Sequence, residues 1–231
     1  MTQTTIRERL DSSRGMLFDL DNTLYPREKG VFDRVNERIN QFVAGVAACG
    51  PDEVRTLRRD FIRRYGTTLG GLMRHHGVDP DEYLAYVHQV PVEEMLGPDP
   101  ALRTFLESIR LPKVIFTNAS AGHAERVLRA LDADSLFDGV CDLASTGYLG
   151  KPHLEAFRAA AALLSCPLER LIFLDDVPEN IEAGARFGAL TVHVGDGSDG
   201  PGHLKVRQVV DLGRSLGGVP WYGSKKGSPG V

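Results

Sequence analysis

Short apolar runs and longer stretches with helical spacing alternate along most of the chain. The apolar runs predict buried parallel strands at residues 16–20, 113–116, 171–174 and 190–194, with a weaker strand at 139–144. The runs end in polar residues, and a helical stretch follows most of them. This recurring order predicts an α/β fold, a Rossmann-like, doubly wound parallel sheet with right-handed crossovers.

The segment between the first two strands has a different pattern. From about residue 30 to residue 90 the apolar positions follow a helical period, and no strand is indicated. Proline and glycine are concentrated at its two ends, around Pro26 and around Pro91. We therefore predict an all-helical cap inserted into the core, with the cap at residues 28–96 and the core at 1–27 and 97–216.

The two ends of the chain have weaker patterns. We expect a frayed polar lead-in over residues 1–14, a flexible loop over 195–202 and a last helix over 204–216. Residues 217–231 are rich in glycine, serine and lysine, so we expect a flexible tail there, although Trp221 and Tyr222 are candidates to anchor it.

Composition narrows the class of partner. The chain has 231 residues, a net charge of −4 and no basic stripe, which argues against nucleic acid or an anionic membrane as the main partner. The three cysteines show no CxxC spacing, so neither a disulfide framework nor a zinc site is indicated. No apolar run is long enough to span a bilayer. We expect a soluble, cytoplasmic protein.

Candidate chemistry lies where the predicted strands end. Three of the strands end in, or are followed by, polar side chains: Asp19 and Asp21, Thr117 and Asn118, and Asp175 and Asp176. The carboxyl ends of parallel strands meet at one edge of a sheet, which is where open α/β sheets bind ligands. Lys151 becomes a candidate to neutralise a phosphate if its loop reaches the same edge. Taken singly, each feature has a structural alternative: an Asx turn for the first acids, a helix cap for Thr117 and Asn118, and a solvated side chain for Lys151.

Together these residues supply the groups that phosphoryl transfer through an aspartyl intermediate requires. The groups are a carboxylate nucleophile, oxygen ligands for a hard metal ion, a hydroxyl and a cation for the phosphate, and an acid or base. The chain contains no GxxxxGK[ST] sequence, so a P-loop for nucleotide phosphates is not indicated.

The order of these motifs resembles that of the haloacid dehalogenase superfamily over about residues 16–195. A closer resemblance, to its pyrimidine 5′-nucleotidase branch, is carried by five stretches: FDLDNTLYP, YGTTLGGLMRHHGVDP, FTNASAGHAERVL, KPHLEAF and FLDDVPENI. The second stretch lies in the predicted cap. The resemblance implies a Mg²⁺-dependent phosphomonoesterase whose substrates are small phosphorylated metabolites, in particular pyrimidine nucleoside 5′-monophosphates such as UMP and CMP.

The resemblance also implies a catalytic role for each motif residue. Asp19 would attack phosphorus to form an aspartyl phosphate. Asp21 would protonate the leaving oxygen and then activate the hydrolytic water. Thr117, the backbone amide of Asn118 and Lys151 would bind the phosphate oxygens.

The implied Mg²⁺ site uses the same acids. Its ligands would be Asp19, the backbone carbonyl of Asp21, Asp176, and Asp175 either directly or through water. Aligning Asp-Val-Pro-Glu-Asn on the family's Asp-Ser-Pro-Glu-Asn favours Asp176 as the direct ligand. Thr23 and Asn180 would support these ligands without touching the ion.

Substrate selection is expected to come from the cap, where Tyr65, Thr68 and His75 are predicted to face the substrate. For His75 a solvated or helix-capping role is an alternative, and His123 is assigned no chemistry. Two other functions stay open. One is a phosphatase or mutase for phosphoglycolate or a sugar phosphate, which would differ in the cap; the other is a phospho-accepting binding protein without turnover.

Overall fold

Six strands form one sheet in which every neighbouring pair is parallel. The computed structural model describes residues 3–196 and 201–215. The strands are β1 (Gly15–Phe18), β2 (Lys113–Phe116), β3 (Gly139–Cys141), β4 (Leu171–Asp175), β5 (Leu190–Val194) and β6 (Leu204–Val206). They lie in the order β3-β2-β1-β4-β5-β6, so the sheet is wound in both directions from β1. The predicted Rossmann-like fold is confirmed.

Helices connect the strands and form the insertion. In the described residues they are α1 (Gln3–Ser12), α2 (Val31–Ala47), α3 (Pro51–Tyr65), α4 (Thr68–His76), α5 (Pro80–Val87), α6 (Val92–Met95), α7 (Pro100–Ser108), α8 (Ala121–Ala130), α9 (Leu154–Leu163), α10 (Pro178–Arg186) and α11 (Asp211–Ser215). The all-helical insertion predicted between the first two strands is therefore present as α2 to α5.

Both faces of the sheet are buried, which explains why its strands have continuous apolar sequences. Met16 and Phe18 pack on one face, in a cluster that includes the apolar side chains of α7 and α8. Leu17 points to the other face, where Phe157 of α9 and Ile181 of α10 cover the sheet. Alternation along β1 thus supplies both layers of the core.

The insertion has an apolar cluster of its own. Helices α2 to α5 contribute Val43, Phe61, Leu72 and Tyr83 to it, and all four side chains are buried. The start of the insertion packs against the core instead, because Val31 of α2 belongs to the same apolar cluster as Phe18 of the sheet. The domain limits at 28 and 96 stay a prediction.

Two predictions for the chain ends were wrong. The N-terminal segment forms helix α1, whose Leu10 is buried and whose Arg9 donates a hydrogen bond to the carbonyl oxygen of Gly188. The charged residues are so frequent in this segment that the sequence did not indicate a helix with a buried face.

The segment predicted as a last helix begins as strand β6, paired with β5 through Val194 and Val206, and only α11 is helical. Three strand residues are too few to show a period. The predicted tail, with Trp221 and Tyr222, and part of the predicted loop at 195–202 lie outside the described residues.

No helix within the described ranges is both long and apolar enough to cross a lipid bilayer.

Candidate active site

The strand register brings the predicted site residues to one edge of the sheet. Phe18 of β1 is level with Ile115 of β2 and Leu174 of β4. Asp19 continues the ladder by donating its backbone N–H to the carbonyl oxygen of Leu174 at 2.9 Å. The backbone N–H of Thr117 does the same toward Cys141 at 3.0 Å. The carboxyl ends of β1, β2 and β4 therefore meet as predicted.

Lys151 lies between two carboxylates at this edge. Its Nζ donates to Asp19 Oδ1 at 2.6 Å and to Asp175 Oδ2 at 2.7 Å. Its side chain is 2% exposed and that of Asp175 is fully buried. Burial lowers the pKa of Lys151, but Asp175 and Asp19 outweigh that effect and raise it above the usual value. A solvated lysine, the alternative left open by the sequence, is excluded.

Asn118 holds the loop that carries this lysine. Its side-chain oxygen accepts the backbone N–H of Lys151 at 2.7 Å, and its side-chain nitrogen donates to the carbonyl oxygen of Lys151 at 3.0 Å. A Cβ at Gly150 would lie 2.3 Å from the same Asn118 oxygen, so this close approach requires glycine. Helix α9 begins shortly after this loop, at Leu154.

A cluster of three acids surrounds the lysine. Asp19, Asp175 and Asp176 each have an oxygen within 4.8 Å of the others. Burial and the two neighbouring acids raise the pKa of Asp19 well above its ordinary value, against the opposing effect of Lys151. Burial and Asp175 raise the pKa of Asp176 to about 7. When all three acids are ionised, they leave an excess of negative charge over the single ammonium, and a cation among them would favour that ionised state. Oxygen donors suit a hard divalent cation, so the residues fit Mg²⁺.

The two acids after β4 have different partners. Asp175 accepts the backbone N–H of Val177 at 2.8 Å and the side-chain nitrogen of Asn180 at 3.1 and 3.2 Å, in addition to the lysine. Asp176 accepts only a long hydrogen bond of 3.4 Å, from the side-chain nitrogen of Asn22, among the described residues. Asp175 is therefore almost saturated with donors, while Asp176 retains lone pairs for a cation.

Groups that can receive an anion lie at the same edge. The Thr117 hydroxyl accepts the backbone N–H of Ala119 at 3.0 Å, which leaves its own O–H free to donate. Within the described residues the backbone N–H groups of Leu20, Asp21 and Asn118 have no acceptor. Thr23 donates to Asp19 Oδ2 at 2.8 Å and so orients the carboxylate.

Asp21 has two partners that the sequence analysis missed. Tyr25 donates its hydroxyl to Asp21 Oδ1 at 2.5 Å, and His123 Nε2 lies 2.9 Å from the same oxygen. Burial raises the pKa of Asp21, but the charge and hydrogen bond of His123 and the hydrogen bond of Tyr25 outweigh it, so the pKa lies below the ordinary value. The available signal was the place of His123 in the first turn after Thr117, which returns its side chain to the sheet edge.

Of the three predicted cap residues, only Tyr65 contacts the neighbourhood of this edge, and it does so through its backbone. The backbone carbonyl of Tyr65 accepts a hydrogen bond of 3.3 Å from His153 Nε2, next to the lysine loop. Thr68 is buried in the first turn of α4. His75 is exposed, stacks on Phe61 and hydrogen-bonds the Tyr65 hydroxyl at 2.6 Å. No hydrogen bond in the described part of the chain joins these three side chains to the acids.

Comparison with known proteins agrees with this architecture. The model of the haloacid dehalogenase-like hydrolases matches residues 14–188, and the chain belongs to this family. The matched range contains the whole acid cluster and the helical insertion.

Individual proteins that resemble the chain have low sequence identity to it. Phosphate metabolism protein 8 of Saccharomyces cerevisiae is 28% identical over 188 residues, which cover 74% of this chain and 58% of that protein, so the chain spans little more than half of its relative. A HAD phosphatase from Thermococcus onnurineus has a similar fold, with a TM-score of 0.58, 17% identity, and coverage of 90% of this chain and 99% of that one. β-Phosphoglucomutase from Clostridium difficile also has a similar fold, with a TM-score of 0.60, 16% identity, and coverage of 87% of this chain and 93% of that one.

Proposed function

We propose that the chain is a Mg²⁺-dependent phosphomonoesterase in which Asp19 forms an aspartyl phosphate. The observation that carries the proposal is the environment of the Asp19 carboxylate. Lys151 holds Oδ1 at 2.6 Å, Thr23 holds Oδ2 at 2.8 Å, and a hydroxyl and unpaired backbone amides lie at the same edge for the phosphate. Fixed donors of this kind act on the charge of a transferring phosphoryl group.

The reaction requires two displacements at phosphorus. In the first, an Asp19 oxygen attacks phosphorus and the bond to the leaving oxygen breaks. Asp21, whose protonated form is favoured by the negative charge of the bound phosphate ester, gives its proton to that oxygen. In the second, Asp21 takes a proton from water, the water oxygen attacks phosphorus, and the bond to Asp19 breaks to release inorganic phosphate. Thr117, the amide of Asn118 and Lys151 bind the phosphoryl oxygens in both steps.

The residues proposed to hold Mg²⁺ are Asp19, Asp176 and the backbone carbonyl of Asp21, with Asp175 contacting it directly or through water. The different hydrogen bonding of the acid pair supports Asp176 as the direct ligand. The ion would supply positive charge beside the phosphoryl oxygens. Thr23 and Asn180 support the site by orienting Asp19 and Asp175.

For the substrate we propose pyrimidine nucleoside 5′-monophosphates. The support is the resemblance of residues 65–80, YGTTLGGLMRHHGVDP, to the nucleotidase branch, and the position of this stretch beside the lysine loop. The core binds only the phosphate and the metal, so discrimination between leaving groups has to come from the helical block over residues 28–96. A phosphorylated metabolite of another class would use the same core.

The test is a panel of phosphate esters assayed for phosphate release with Mg²⁺: UMP, CMP, AMP, GMP, phosphoglycolate and hexose phosphates. We expect the highest kcat/KM for UMP and CMP. A tenfold preference for phosphoglycolate or a hexose phosphate, about 1.4 kcal/mol, would retain the phosphatase and reject the nucleotidase. Borohydride reduction during turnover, followed by mass spectrometry, should convert Asp19 to homoserine. Phosphorylation of Asp19 without release of phosphate would instead indicate a phospho-accepting protein.

A further inference from the structure

His123 is buried beside the proposed acid and has one polar partner. It lies in the first turn of α8, and its side chain is fully buried. Its Nε2 lies 2.9 Å from Asp21 Oδ1, and its Nδ1 has no hydrogen-bond partner in the part of the chain that the structure describes. A carboxylate only accepts hydrogen bonds, so Nε2 carries a proton and donates it to Asp21. The only polar contact of this ring within the described residues is therefore the proposed acid.

The donors to Asp21 act on one oxygen only. Tyr25, which is buried, donates its hydroxyl to the same Oδ1 at 2.5 Å. Among the described residues nothing donates to Oδ2. Two donors on one oxygen fix the rotation of the carboxylate and leave the other oxygen available to the substrate.

The ring of His123 is itself held in place. His88, which follows α5 at the end of the helical block, stacks on it with ring centroids 4.5 Å apart and an interplanar angle of 21°. His88 Nδ1 lies 3.0 Å from the hydroxyl of Ser120. Burial and the charge of His123 lower the pKa of His88 to about 3, so His88 stacks as a neutral ring.

The segment that carries His88 is anchored to the same helix. Arg126 of α8 donates to the carbonyl oxygens of His88 and Val90 at 3.1 and 2.7 Å, and it also pairs with Glu93. The residues that position His123 therefore come both from the core and from residues 88–93, near the end of the helical block.

We infer that His123 is a positioning residue, which holds Asp21 Oδ1 so that Oδ2 faces the leaving oxygen of the substrate. The inference rests on the proposed function and adds no chemical step to it. It predicts a specific kinetic effect. Protonation of the leaving oxygen matters for an alkoxide and little for 4-nitrophenolate, which is a stable anion. Loss of the His123 donor should therefore affect alkyl phosphates selectively.

The test uses two variants of similar size. His123→Met removes the donor, and His123→Gln keeps an N–H at about the same distance from the backbone. Both are assayed with the best alkyl phosphate of the panel and with 4-nitrophenyl phosphate. For the Met variant we expect a decrease in kcat of about 10- to 100-fold on the alkyl phosphate and less than about 3-fold on 4-nitrophenyl phosphate, at similar KM. The Gln variant should recover most of the loss.

A double variant tests whether His123 acts through Asp21. If it does, His123→Met should cause little further loss in an Asp21→Asn background, because interacting residues are not additive. His203→Met is the matched control, since His203 hydrogen-bonds Thr191 and none of the proposed catalytic groups; it should leave the ratio of the two activities unchanged. If the Met variant does not fold, His123→Phe allows the same comparison.

The outcomes separate the two levels of the proposal. Equal losses on both substrates, or full additivity with Asp21→Asn, would overturn the role of His123 and leave the phosphatase intact. A wild-type protein that releases phosphate from neither substrate would overturn both.

Discussion

Charged residues behave differently at the sheet edge and in the helical block. At the edge, Lys151 pairs with Asp19, which is 132 residues away in the sequence, and both side chains are buried. In the block, Arg63 and Arg64 pair with Asp60 on the same helix, three and four residues away, and both arginine side chains are more than half exposed.

The two arrangements have very different energies. An exposed ion pair along a helix contributes about 0.3–0.5 kcal/mol, whereas removing one partner of a buried pair costs about 3–5 kcal/mol. Charges at the edge are therefore difficult to change, while the surface of the block is tolerant. This difference agrees with the proposed division of roles, in which the core performs the reaction and the helical block selects the substrate.

The largest effect is expected for Asp19→Asn. An amide is nearly isosteric with the carboxylate but cannot attack phosphorus, so phosphate release should fall by at least about 10³-fold. Circular dichroism should show an intact fold. Retention of a tenth of the wild-type activity would contradict the covalent route.

Lys151→Met and Arg63→Met compare the two regions directly. Removal of the lysine leaves buried carboxylates without a cation and should lower the free energy of unfolding by about 3–5 kcal/mol without Mg²⁺. Removal of Arg63 should lower it by less than about 0.5 kcal/mol. Urea unfolding measures both variants, and equal losses would show that the edge cluster does not behave as a buried ion pair.

The acid pair after β4 should separate metal binding from stability. Asp176→Asn should raise the Mg²⁺ concentration needed for half-maximal activity by about 10-fold or more, and EDTA should inactivate the wild type. Asp175→Asn should mainly lower stability, because Asp175 is the buried partner of Lys151. The opposite ranking in a Mg²⁺ titration would make Asp175 the direct ligand.

Smaller effects are expected in the block. Tyr65→Phe, Thr68→Val and His75→Ala should each change kcat/KM for UMP by about 3- to 10-fold and leave 4-nitrophenyl phosphate within about 2-fold. Arg34→Ala, which removes an exposed ion pair with Glu37 in the same block, is the control and should change neither activity. A uniform loss on both substrates would assign these residues to the stability of the block.

Much of the architecture could be predicted from the sequence because it depends on local pattern. Buried strands with acids at their ends and a helical insertion bounded by proline and glycine are visible in short windows, and the sheet has them where predicted. The failures, α1 and β6, are segments whose structure depends on what they pack against. Leu10 and Val206 are buried only because the remainder of the core covers them.

The sequence by itself determined which residue types reach the sheet edge, since carboxyl ends of parallel strands meet there whatever the side chains are. Only the tertiary structure decided how they pair. Lys151 lies between Asp19 and Asp175 rather than free in its loop, and Asp175 rather than Asp176 is saturated with donors. His123 meets Asp21 across 102 residues of sequence. Such contacts require distances between distant segments that are correct to within a few tenths of an ångström. No local pattern in the sequence specifies those distances.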